Sequence, residues 1–182
     1  WWGNLSLRQA TLTVNGQSLE LPAGSQGTYD LTWGHRRPVQ NWNWLSATGN
    51  ARCRKTGACV PLSILSATDQ PGALPVIDAA KNNVWLADVH YKLGELCFDY
   101  EILDAERRDT GPWRIHYLDD SQRMELNFAP GHRRRETRSI PLVYDVDFHQ
   151  YYGDLTGEIC LGGLVYDLEE VFALCEDSWM VM

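Results

Sequence analysis

Two indoles stand two residues apart, Trp42 and Trp44, at the end of the run YDLTWGHRRPVQNWNW, which also carries Asp30, His35, Arg36 and Arg37. In a strand, residues i and i+2 share a face, so both indoles point one way and Asn41 and Asn43 the other. Such a pair does one of two things: it fills a core, or it forms a flat wall on which a sugar, a ring or a polyene stacks. The polar loop ahead of it, with Asp30 and His35, is placed to rim a cavity mouth. A second group alternates along 147–151, where Asp147, His149 and Tyr151 share a face and can hydrogen-bond in series. That pattern suits either acid–base work or a satisfied polar network. Glu95 and Asp99 are further carboxylates available for proton transfer.

What the chain lacks narrows the chemistry. There is no nucleophile elbow, phosphate loop, dinucleotide glycine fingerprint or His-Glu-x-x-His. The residues alone therefore name no catalytic group and call for no cofactor. The cysteines, Cys53, Cys59, Cys97, Cys160 and Cys175, are irregularly spaced, and the gap between Cys53 and Cys59 is not that of a zinc knuckle, so no metal site is expected. Five thiols without a framework read as reduced cysteines of a cytoplasmic protein, with a Cys53–Cys59 pairing open to an oxidising setting.

The scaffold that must position these groups is written in period two. Alternating apolar residues at 10–14 and 19–21 flank Asn15-Gly16, a two-residue hairpin signal. Similar alternation recurs at 84–89, 96–102, 113–118, 124–128, 142–148, 151–160 and 164–174, separated by Gly, Pro, Asp or Asn. Turns at this rhythm predict an all-β, antiparallel barrel or curled β-sandwich of roughly ten strands. Helix is confined to short pieces such as 68–80, broken by Pro71, Gly72 and Pro75, and 167–174, which also reads as strand. Arg133, Arg134, Arg135 and Arg138 follow Pro130-Gly131 and read as a solvated hairpin tip or as a grip for phosphate or carboxylate.

At 182 residues the chain can bury about 70% of its surface around one core, which predicts a single domain over 1–182. Its 44% hydrophobic and 11% aromatic content is that of a globular protein. The formal charge of -8 argues against nucleic acid, whose binding runs on Lys and Arg displacing counterions. No apolar stretch reaches the roughly 18 residues of a spanning helix, so no membrane span is expected. The start Trp1-Trp2-Gly3, without Met, predicts a trimmed domain whose leader is absent or removed.

Several segments, in order, resemble a bacterial domain-of-unknown-function family, number 2804. Asp30 through Gly49 resembles its Asp…Trp-Asn-Trp…Gly signature, and 83–92 its Glu-Asn-Ala-Leu-Phe-Val-Asp segment. Pro112-Trp113-Arg114, Leu126-Asn127-Phe128-Ala129-Pro130 and His149-Gln150-Tyr151-Tyr152-Gly153 resemble its Pro-Trp-Arg, Leu-Thr-Phe-Thr-Pro and His-Gln-x-x-Gly motifs. Asn82 and Trp33 depart from it, standing where Glu and Arg are expected. The resemblance implies a calycin- or lipocalin-like fold, distantly like two-domain carotenoid hydratase-type proteins, with this chain as the C-terminal half. It also adds Asn83 and Gln150 to a ligand-binding set of Asp30, His35, Trp42, Asn43, Trp44 and His149. The expected ligand is a hydrophobic small molecule, a lipid or isoprenoid. The alternatives are a lyase- or isomerase-type enzyme on such a substrate, and a structural domain packing on an N-terminal partner domain of the same protein.

Overall fold

Asn15 and Gly16 have φ values of 50° and 79°, the pair of positive angles that a type I′ hairpin turn needs, and the alternating segments on either side pair across them. The computed structural model describes residues 2–6, 9–23, 25–30, 38–70, 81–106 and 108–181. The chain divides into two compact units, Trp1–Gly34 and His35–Met182. The first holds β1 (Trp2–Ser6), β2 (Ala10–Val14), β3 (Gln17–Leu21) and β4 (Gln26–Asp30), in which β1 pairs with β4 and β2 with β3.

The second unit holds β5 (Val39–Cys53), β6 (Cys59–Asp69), β7 (Asn83–Leu86), β8 (Val89–Lys92), β9 (Cys97–Asp99), β10 (Ile102–Asp104), β11 (Asp109–Thr110), β12 (Trp113–Leu118), β13 (Arg123–Ile140), β14 (Tyr144–Leu161) and β15 (Leu164–Val181). Nine of these form one antiparallel sheet in the order β8-β7-β6-β5-β15-β14-β13-β12-β9, while β10 and β11 make a separate ribbon. The protein is all-β, with no α-helix among the described residues. No helix there is long and apolar enough to cross a membrane.

The sheet is a partial ring and not a closed barrel, because β8 and β9 are free edges. In a flat sheet β5 and β9 would lie roughly 24 Å apart. Yet Asn43 on β5 donates to the hydroxyl of Tyr100, just past β9, at 3.0 Å, and Thr68 on β6 donates to Glu95, just before β9, at 2.9 Å. The sheet curls enough for its far edge to meet β5 and β6. Inside the curl Leu45, Ile64, Val84, Trp113, Ile115, Phe128, Leu155 and Ile159 form the core, all essentially without exposure.

Several elements differ from the sequence pattern. From Tyr144 on, the segments 142–148 and 151–160 belong to one strand, β14, because Gly153 is no turn: a Cβ there would lie 2.0 Å from the carbonyl oxygen of Ala129. Pro130-Gly131 likewise marks a register shift inside β13, the place where a sheet tolerates proline. The arginines therefore lie along a strand, and the tip is at 141–143. Segment 167–174 is strand, and 71–80 lies outside the described residues. Cys59 pairs with Arg52 and not with Cys53, so the two thiols face opposite sides of the hairpin, and all five cysteines are free.

Candidate functional site at the polar end of the inner face

The register of β5, β15 and β14 sets side chains in rows across the inner face. Leu45, Cys175 and Tyr151 make one row, the next is Asn43, Asp177 and His149, then come Asn41, Trp179 and Asp147, and last Val39, Val181 and Asp145. The face thus runs from apolar core through a buried polar band to a partly exposed mixed margin, where Val39, at 48% exposure, Trp179 and Val181 stand beside Asn41, Asp147 and Asp145. Asn43, Asp177 and His149 are only 3%, 2% and 1% exposed. Polar groups this deep must be paired, since burial without hydrogen bonds is costly.

Most of them are. Asp177 is ion-paired with Arg108 and accepts from Gln70 Nε2 at 2.5 Å. Asn43 Nδ2 also reaches the backbone oxygen of Glu176 at 3.2 Å. Tyr100 stacks on Trp113 with centroids 3.9 Å apart, and burial followed by the charge of Asp177 pushes its hydroxyl pKa well up. The same two causes push Tyr151 up to about 12, so both phenols stay protonated and act as donors. His149 Nε2 lies 2.8 Å from Asp147 Oδ1, and Asp147 is ion-paired with Arg135 at 3.2 Å. Burial lowers the His149 pKa and outweighs the pull of Asp147, so the ring is neutral near pH 7. The series does not continue to Tyr151, whose hydroxyl donates instead to the Arg108 carbonyl at 2.7 Å.

The β10–β11 ribbon lies across this band. Arg135 holds the Glu106 carbonyl at 3.0 Å, Arg133 holds Asp109 at 2.9 Å, Tyr151 holds the Arg108 carbonyl, and the Arg108 guanidinium reaches Asp177. Arg135 and Asp177 are the cross-strand neighbours of His149 on either side, so these ties bracket the imidazole. Four buried atoms in or beside the band have no hydrogen-bond partner: His149 Nδ1, Arg108 Nε, Asn41 Oδ1 and Arg133 Nη1, the last held to Asp109 by charge alone.

The residues singled out from sequence divide between the two faces. Asn43 and His149 are neighbours of Asp177 inside, whereas Trp42, Trp44 and Gln150 alternate to the outer face. There Trp42 Nε1 donates to Glu176 at 2.9 Å, and Gln150 Nε2 donates to the same carboxylate at 2.8 Å. Asn83 sits on β7, within 2.8 Å of His90 Nε2, away from both groups. Asp30 ends β4 in the first unit, and His35 lies outside the described residues. Among the described residues no group of three or more His, Cys, Asp or Glu is placed to hold a metal ion.

Residues 4–181 match a family described as Domain of unknown function (DUF2804). The chain belongs to this family. No curated protein matches it. Among solved structures it is similar to kievitone hydratase from Nectria haematococca, at 18% identity and TM-score 0.44, over 100% of this chain and 52% of that one. It is also similar to a protein of Nitrosomonas europaea provisionally described as AttH, at 14% identity and TM-score 0.40, over 77% of this chain and 51% of that one. The chain thus spans about half the length of each.

In this DUF2804 chain, Asn82 at the position expected to be Glu has a structural reason. Its Oδ1 accepts from Ser66 Oγ and the Ala67 N–H at 2.7 and 3.0 Å, and its Nδ2 donates to the Gly94 carbonyl at 2.7 Å, which a carboxylate cannot do. Sequence reading missed Tyr100, Arg108 and Asp177. Asp177 had a usable signal, a carboxylate continuing the apolar alternation Val171, Ala173, Cys175. Tyr100 and Arg108 had none, because only the curl of the sheet and the ribbon bring them in.

Proposed function

We propose that the nine-stranded sheet binds a hydrophobic small molecule of the lipid or isoprenoid kind. Its polar head meets the band of Asn43, Arg108, His149 and Asp177, and its apolar body lies against Val39, Trp179 and Val181. The observation that carries this reading is the buried polar band with open hydrogen-bonding capacity, set between a filled core and a margin that carries Val39, Trp179 and Val181. Beyond the band, Trp113, Phe128 and Leu155 pack into the core. Each methylene taken from water at the margin contributes about 0.8 kcal/mol, and the band supplies orientation. Acid–base catalysis of lyase or isomerase type is a second reading, favoured by a neutral His149 held by Asp147.

Titration with fatty acids and isoprenoid alcohols, followed by Trp fluorescence in Trp179→Phe and Trp42→Phe variants, tests the proposal. A saturable response that is lost in Trp179→Phe and kept in Trp42→Phe supports it. No saturable response, or one that depends on Trp42 instead, overturns it.

A further inference from the structure

The binding reading above leaves open which chemical group the ligand sets against His149, and the hydrogen-bond accounting around the imidazole answers this. The inference rests on that reading. Asp147, ion-paired with Arg135, is an acceptor, so the proton on the ring sits at Nε2 and points to Asp147. Nδ1 is then a bare lone pair, buried and without a partner.

Of the nearby protein donors, Arg108 Nε–H is unengaged but does not reach Nδ1, and those named next are turned to other groups. On β5, Asn43 Nδ2 serves Tyr100 and the Glu176 carbonyl. Gln70 and the Arg108 guanidinium serve Asp177 on β15. Tyr151 on β14 serves the Arg108 carbonyl, and on β13 Arg135 and Arg133 serve Asp147 and Asp109. The donor that completes Nδ1 has to come from outside the protein. Arg108 Nε–H, also buried and unpartnered, is a donor in the same band and suits an oxygen lone pair. A hydroxyl offers both, a proton for Nδ1 and a lone pair for Nε–H.

We propose that His149 Nδ1 accepts a hydrogen bond from a ligand hydroxyl, and that the domain therefore selects alcohols over ethers and hydrocarbons of the same skeleton. An ether accepts but cannot donate, so it leaves Nδ1 open and buried. A site built around such a donor discriminates strongly against analogues that lack it.

The test uses the whole chain with 15N-labelled histidine, titrated at neutral pH with geraniol, its methyl ether and the hydrocarbon of the same skeleton. The expected free state has His149 protonated at Nε2 and bare at Nδ1. Geraniol should shift the Nδ1 resonance and bind about tenfold or more tightly than the other two, which corresponds to about 1.4 kcal/mol. The preference should vanish in His149→Phe. If that variant does not fold, the tautomer and the three-ligand comparison on the unaltered chain still decide. A proton on Nδ1, or equal binding of all three ligands, overturns the inference and leaves the binding reading standing. Binding of none of them overturns both.

Discussion

The two faces of β5, β14 and β15 carry polar clusters one residue out of step, and they are built on opposite principles. Outside, the Glu176 carboxylate takes the Trp42 and Gln150 N–H groups, and Gln150 Oε1 takes the Tyr152 hydroxyl at 2.9 Å. These side chains complete one another. Inside, Asn43, Asp177 and His149 are at least as deeply buried, but His149 Nδ1 and Arg108 Nε are left open. The clusters differ in depth, since Trp42, Gln150 and Tyr152 are only partly buried. They also differ in how far the side chains of each satisfy one another, although Ser178 Oγ on the outer face is also buried without a partner. A closed network fixes a fold, whereas a deeper one left open holds capacity for something that arrives later.

Breaking the inner cluster has the largest expected effect. Asp177→Ala strips Arg108 and Gln70 of their shared acceptor and should destabilise the domain by about 3 kcal/mol in denaturant melts, since it leaves the partly buried Arg108 charge unpaired and a hole where the buried carboxylate stood. A loss near zero would show that the inner pair is no structural joint. Glu176→Ala, in the outer cluster, strands two neutral donors and should cost about 2 kcal/mol while leaving geraniol affinity unchanged. A large loss of affinity there would erase the distinction between the faces.

The smallest effect is the dependence on pH. Burial holds the folded-state pKa of His149 below its ordinary value, so the unfolded chain takes up a proton first as the pH falls. His149 therefore contributes stability that is complete above about pH 6.5 and is lost as the pH drops toward the depressed folded value. Stability measured against pH should show this fall, and His149→Gln should flatten it. An unchanged profile would mean that the imidazole is not held neutral by the inner face.

The strands were legible because their alternation is regular, and β12 appears at the expected residues 113–118. The faces were not. Along 41–47, apolar residues stand at both parities, Trp42 and Trp44 on one and Leu45 and Ala47 on the other, and both sides of the sheet are buried there. Period two then fixes which residues share a face but not which face turns inward. His149 and Asp147 could be read as neighbours because their contact is local. The partners that finish the band are set by curling and by the ribbon, and such long-range placement leaves no local mark.

The most direct test maps where a ligand sits. Backbone and side-chain resonances of the whole chain are followed during titration with geraniol, with both faces of the same three strands read in one experiment. The account predicts saturable shifts at Asn43, Arg108, His149 and Trp179, with the side chains of Trp42, Gln150 and Glu176 nearly unmoved. Shifts centred on Trp42, Gln150 and Glu176, with the inner band silent, would contradict it.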